Sequence, residues 1–154
     1  MAAPENPPLL RVCSLLNAEG AKYLVAGARA CILHGVVRTT EDVDILIEES
    51  EDNCRKVLNA LARLQDGFAA QLTPKDLVEN VVVKIADEVE VDVSTRAWKV
   101  SYADAISSAC QIVLDGVDIP YLGLDSLIAS KETYREKDQA DLLFLRRLKA
   151  NRTR

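Results

Sequence analysis

GARACILHGVVRTTEDVDILI, residues 27–47, is the stretch on which the reading of the fold turns. It continues KYLVAG (22–27), a short apolar run ending in glycine, and opens with ARACILHG (28–35), whose small residues suit a helix packed on a sheet. Strand, glycine turn and helix are the expected order. The second half runs into DVDILIEE (42–49), where acidic and apolar residues alternate. A period of two puts Val43, Ile45 and Ile47 on one face and Asp42, Asp44 and Leu46 on the other, which predicts a half-buried strand. Two aspartates two apart on a strand project to the same side with Cα atoms about 6 to 7 Å apart, so their carboxylates can converge. Left alone such a pair repels itself. A divalent cation removes the repulsion, and Mg2+ favours one or two carboxylates completed by phosphate and water.

An acidic pair on an exposed strand is common, and its neighbours give it meaning. Gly27 ends a strand where a helix begins, leaving backbone N–H groups of the Gly27-Ala28 turn free to meet a phosphate. Further on, VEVDVST (89–95) places Asp92 opposite Val89, Val91 and Val93, with Glu90 as a competitor on the same face. If that strand adjoins the first, three carboxylates can hold two metal ions about 3.5 to 4 Å apart, a device for activating a hydroxyl and holding a triphosphate.

The rest of the chain reads as helices and strands around this centre. LLRVCSLLNAEG (9–20) repeats apolar residues at helical spacing and stops at Gly20, and Glu51 to Leu64 is amphipathic with acidic residues at its start. NVVVKIADEVEVDVSTR (80–96) gives two β-rich segments around Asp87 and Glu88. QIVLDGVDIPYL (111–122) is a hairpin turning at Asp115-Gly116. Tyr102 to Ala109 has helical composition, and the helices LDSLIASKETYR (124–135), with Asp125 as N-terminal cap, and KDQADLLFLRRLKA (137–150) close the chain. The sum is an α+β fold, a mixed β-sheet of about five strands with helices packed on one side, in one domain spanning residues 1–154.

Composition bounds the function. The 154 residues are 49% hydrophobic and 28% charged, as expected of a globular chain with one core. The net charge of −5 argues against a polyanionic acceptor held on a broad basic surface, and LRRLKANRTR (145–154) is expected to be a solvated helix end. Cys13, Cys31, Cys54 and Cys110 are spread through apolar stretches without a CxxC pair, and the single histidine excludes an ordinary structural zinc site. They are expected to be buried, reduced thiols. MAAPENPP lacks a basic n-region and an apolar h-region, and no stretch approaches the ~20 apolar residues of a membrane span, so a cytoplasmic protein is expected.

With these residues in order, the chain resembles the nucleotidyltransferase superfamily, whose type is DNA polymerase beta, and in particular its abortive-infection branch. There a glycine-rich turn precedes H-G-x-x-R-x-T-x-D-x-D, and Gly27, His34, Gly35, Arg38, Thr40, Asp42 and Asp44 stand at matching positions. VDVSTRAW (91–98), GVDIPYLGLDSLIASK (116–131) and REKDQADLLFL (135–145) resemble the third-carboxylate strand, the late hairpin and the closing helices. The resemblance implies a nucleotidyltransferase (EC 2.7.7 type) that moves a nucleoside monophosphate from an NTP such as ATP to an acceptor hydroxyl and releases pyrophosphate. Asp42, Asp44 and Asp92 would be catalytic and would bind Mg2+ or Mn2+; Gly27, Ala28, Arg38, Thr40, Lys131 and Arg135 would bind the nucleotide. Small molecules, proteins and tRNA ends are the acceptors the superfamily offers, of which the acidic charge favours the first two. The chain departs from the branch in carrying Ala28 and Arg29 after the turn glycine, and Tyr134 before Arg135.

Each assignment has a plainer rival. Lys131, Arg135 and Asp138 follow helical spacing and would also make a surface ion-pair ladder. His34 is expected to be packed and hydrogen-bonded rather than a base, Arg38 and Thr40 to brace the loop that presents the carboxylates or to touch phosphate, and Trp98 or Tyr102 to be core, rim or the acceptor side. The rival from another class is a catalytically weak nucleotide- or partner-binding module such as an antitoxin subunit, motivated by Ala28. So short a chain leaves little material for an acceptor domain, so a homodimer or a partner protein is expected to complete the pocket. An acidic Ca2+ protein is disfavoured, because no DxDxDG loop is present.

Overall fold

The computed structural model describes residues 7–133 and 135–152. Helix α1 (Pro7–Ala18) ends just before Gly20, whose φ of +69° turns the chain into strand β1 (Tyr23–Ala26). Helix α2 (Gly27–Leu33) and strand β2 (Val43–Ile47) follow, then helix α3 (Glu51–Leu61). The Ser50 hydroxyl caps α3 by accepting the Asn53 N–H, and ion pairs Glu51–Arg55 and Asp52–Lys56 run along its exposed side. Helix α4 (Pro74–Glu79) starts at Thr73 with a reciprocal capping box to Asp76, the Pro74 ring suiting its first turn. Strands β3 (Val83–Ala86) and β4 (Glu90–Ser94) form a hairpin around Asp87 and Glu88, as expected.

A two-residue hairpin, β5 (Arg96–Ala97) and β6 (Val100–Ser101), leads into helix α5 (Tyr102–Ala105) and a 3-10 turn. Strands β7 (Cys110–Leu114) and β8 (Val117–Tyr121) turn at Asp115 (φ +48°) and Gly116 (φ +77°), the two positive dihedrals a type I′ turn requires. Helices α6 (Leu124–Lys131) and α7 (Glu136–Arg152) complete the chain. Two expectations change here. Asp125 is not the cap of α6: Gly123 takes that position, and Asp125 sits in the first turn, paired with Lys149. Lys131 and Arg135 do not share a helical face, because α6 ends at Lys131 and α7 starts after Arg135. Tyr134 lies outside the described residues.

The main sheet is mixed and has six strands in the order β3-β4-β2-β1-β8-β7, one more than expected. β2 runs antiparallel to β1 and parallel to β4. Helices lie on both faces, not one. Val43, Ile45, Ile47, Val91 and Val93 join α1 and α3 in one apolar cluster. Leu24 and Leu46, from the alternate positions, pack with Ala30, Cys31, Leu127 and Leu145 of α2, α6 and α7 in a second. The alternation in DVDILI allowed this, since Leu46 is as fully buried as Ile47. Cys13, Cys31 and Cys54 are buried free thiols and Cys110 is half-buried and free. Among the described residues no helix is long and apolar enough to cross a membrane.

Candidate active site

The face of the sheet that carries Asp42 and Asp44 opens into a cleft of about 530 Å3, within the size range of small-molecule sites. The nine residues that the resemblance gave catalytic, metal or nucleotide roles all line it: Gly27, Ala28, Arg38, Thr40, Asp42, Asp44, Asp92, Lys131 and Arg135. The register explains the centre. β2 and β4 are adjacent and parallel, and Asp44 stands directly beside Asp92. Lys84, on the far side of β4, stands directly beside Asp92 in turn.

These side chains divide into two acidic pairs. Asp44 and Asp92 crowd each other, and burial first and then this neighbouring carboxyl push Asp44 up to about 6. Further out, Asp42 similarly pairs with Glu90, whose carboxyl is raised by that hydrogen bond and charge. The Lys84 ammonium lies between the pairs, 3.3 Å from Asp92, 3.7 Å from Glu90 and 3.8 Å from Asp42. Burial still leaves Asp92 Oδ1 without a hydrogen-bond partner, despite that ammonium nearby. As the side chains stand, no three Asp, Glu, His or Cys among the described residues form a ready metal cage. The orphaned oxygen and the crowded pair nonetheless have the donor chemistry that a hard divalent cation seeks. Lys84 was missed in the sequence because its role depends on which residue of β4 it faces.

Gly27 has a structural reason that differs from the expected one. Its φ is +60°, and a Cβ there would stand 2.0 Å from Asp44 Oδ2. Only a hydrogen at this position lets the carboxylate fold against the turn. Helix α2 is seven residues long, about two turns, so its dipole is small and charge for an anion must come mainly from side chains. Arg29, buried, donates to the carbonyls of Asp42 (3.2 Å) and Glu41 (3.4 Å) and so fixes the start of β2 from α2. Thr40 Oγ1 reaches the same Asp42 carbonyl at 3.5 Å.

A second charged cluster borders the cleft. Asp138 is fully buried and accepts hydrogen bonds from Thr133 and from Arg135 (2.8 Å), with Lys131 at 3.4 Å. Burial alone would raise Asp138, but those hydrogen bonds and the charges of Lys131 and Arg135 hold it below the usual carboxylate range. Arg38 donates to both oxygens of Asp141 at 2.8 and 2.7 Å, and Lys131 lies 3.2 Å from the same carboxylate. Three cations on two anions leave one net positive charge facing the cleft. Lys131 is thus largely neutralised, whereas the Arg135 side chain remains 64% exposed. His34 is packed as expected: Nε2 lies 2.8 Å from the Leu122 carbonyl, the ring meets Tyr121 edge-on, and burial lowers its pKa. Trp98 lines the cleft, and Tyr102 packs against the second apolar cluster instead.

The architecture is a nucleotidyltransferase-like fold. It is similar to the crystal structure of an antigenic nucleotidyltransferase-like protein from Paracoccidioides brasiliensis, with a TM-score of 0.56 and 16% identity over 93% of this chain and 78% of that one. No protein-family model matches the sequence, and no curated protein matches it either. The likeness is one of fold and does not single out the abortive-infection branch.

Proposed function

We propose that the cleft is the active site of a metal-dependent nucleotidyltransferase, acting within a single domain, that passes a nucleoside monophosphate from an NTP to an acceptor hydroxyl. One observation carries the proposal: Asp44 and Asp92 meet side by side on parallel strands in the cleft, and the buried Asp92 Oδ1 has no hydrogen bond, with the half-exposed Lys84 ammonium 3.3 Å away as its counter-charge. Asp44 and Asp92, joined by Asp42, would hold Mg2+ or Mn2+, which when bound supplies charge neutralisation for the triphosphate and the departing pyrophosphate.

The remaining work falls to the chain itself. Arg135, with the net positive Lys131–Arg38 cluster behind it, offers the triphosphate its counter-charge. Gly27 and Ala28 form the wall along which the phosphates lie, without a side chain to block Asp44. Asp92 takes the proton of the acceptor hydroxyl as its oxygen bonds to the α-phosphorus. The bond from that phosphorus to the β-phosphate bridge oxygen breaks, and pyrophosphate carries away the electron pair. Positioning and electrostatics supply most of the acceleration. The acidic charge favours a small molecule or a protein over tRNA as acceptor.

The rival reading, a nucleotide- or partner-binding module such as an antitoxin subunit, draws on Ala28 in the turn and on Lys84 among the carboxylates. Incubation with each α-labelled NTP, Mg2+ and candidate acceptors separates them. The enzyme reading predicts label transfer that Asp42→Asn abolishes; nucleotide binding without transfer, indifferent to Asp42→Asn, would favour the module.

A further inference from the structure

Trp98 is the only tryptophan of the chain, and it stands where the backbone least favours a bulky residue. It occupies the first position of the two-residue loop between β5 and β6 with φ +60°, a conformation glycine adopts freely and other L-residues rarely. A turn with no task other than reversing the chain would carry glycine or asparagine there. Backbone strain of this kind collects at functional sites. The indole is also 45% exposed and lines the cleft that holds the carboxylates.

The hairpin is a firm mount. Arg96 pairs with Ser101 and Ala97 with Val100; Val100 is buried and Ala97 packs beside it in the second apolar cluster, against β2 and α6. Val81 and Val82, just before β3, are 85% and 50% exposed and line the same cleft. A charged cleft therefore also has exposed apolar side chains and a flat ring in its lining. A ligand that is anionic at one end and planar and apolar-faced at the other matches this division, and a nucleotide is such a ligand. Nucleobases stack on indole rings through dispersion and complementary quadrupoles.

We propose that Trp98, in a cleft that Val81 and Val82 also line, is the stacking platform for the purine or pyrimidine ring of the bound nucleotide. This rests on the nucleotidyltransferase reading of the cleft and adds the site that holds the base. Every base has a π face, so the platform accepts all four rings and sets little preference among them.

Emission from the full-length chain reports on this one indole. ATP, GTP, CTP, UTP and inorganic tripolyphosphate are titrated in the presence of Mg2+, following heat by calorimetry and emission by fluorimetry. The four nucleotides should bind and quench Trp98, while tripolyphosphate should bind without quenching. Trp98→Gly relaxes the turn, so it should raise the melting temperature while weakening ATP about 10-fold or more. Tripolyphosphate affinity should not change, and Trp98→Phe should restore most of the ATP affinity. Nucleotide heat that saturates with emission unmoved, and with Trp98→Gly binding ATP as tightly as the parent, overturns the platform and leaves the active-site reading standing. No heat from any nucleotide or from tripolyphosphate overturns both.

Discussion

Two clusters of acids and bases border one cleft, and they are in opposite condition. Around Asp138 and Asp141 every carboxylate is served: Thr133, Arg135, Lys131 and Arg38 donate to or flank them, and cations outnumber anions. Around Asp44 and Asp92 anions outnumber cations, the Asp44 carboxyl is pushed up to about 6, and the buried Asp92 Oδ1 has no hydrogen bond and faces only the long contact of Lys84 at 3.3 Å. The first is a closed structural knot that ties α6, α7 and the loop bearing Arg38 together. The second is a crowded set of carboxylates that Lys84 only partly offsets. The same residue types thus do different work, and the state of their hydrogen bonds tells them apart.

The contrast can be broken most sharply at Asp138. Asp138→Ala would take one of two carboxylates from the buried Lys131 and remove the acceptor of Thr133 and Arg135, and losing one member of a buried pair costs about 3–5 kcal/mol. Denaturant unfolding should show a loss of that size; a loss under 1 kcal/mol would mean that the knot holds nothing. Gly27→Ala comes next. A methyl 2.0 Å from Asp44 Oδ2 at φ +60° forces the carboxylate away, and the backbone strain plus overpacking should cost about 2–4 kcal/mol. Cation binding should fall with it, as read by Mn2+ titration.

Asp44 supplies the opposite sign. Its folded-state value of about 6 lies above its ordinary 3.8. The retained proton therefore contributes stability in full below pH 3.8, and that contribution is lost as pH rises through about 6. Without added metal the protein should weaken over that window, and Asp44→Asn should flatten the profile and gain about 2–3 kcal/mol at pH 7. Melting curves across pH would check this; an Asp44→Asn protein less stable than its parent at pH 7 would contradict it. The smallest effect belongs to Lys84, whose ammonium is half exposed and makes long contacts. Exposed pairs contribute little. Lys84→Met should accordingly tighten Mn2+ binding only about 2- to 5-fold, measured by the same titration.

Much of this was legible from local pattern. Alternation in DVDILI and VEVDVS fixed which faces of β2 and β4 carry the aspartates, Asp115-Gly116 announced its turn, and Gly20 ended the first helix. What pattern could not supply was register. That Lys84 faces Asp92, or that Glu90 joins Asp42, depends on how strands slide against one another. Lys131 and Arg135 had helical spacing, yet the helix ends at Lys131, and beyond it Thr133 and Arg135 both donate to Asp138. Helices on both faces followed from Leu46, an apolar residue among aspartates whose burial needs a second layer. Thr73-Pro74 with Asp76 was a readable start for α4 that went unread, while β5 and β6 are too short for periodicity to register.

The central claim, that the Asp44–Asp92 pair is where a divalent cation joins the nucleotide, is tested most directly by electron paramagnetic resonance of Mn2+ titrated into the protein with ATP present. The parent chain should take up Mn2+, Asp44→Asn and Asp92→Asn should each lose that uptake, and Asp141→Asn in the closed cluster should retain it. Unchanged uptake in a folded Asp92→Asn protein would contradict the account.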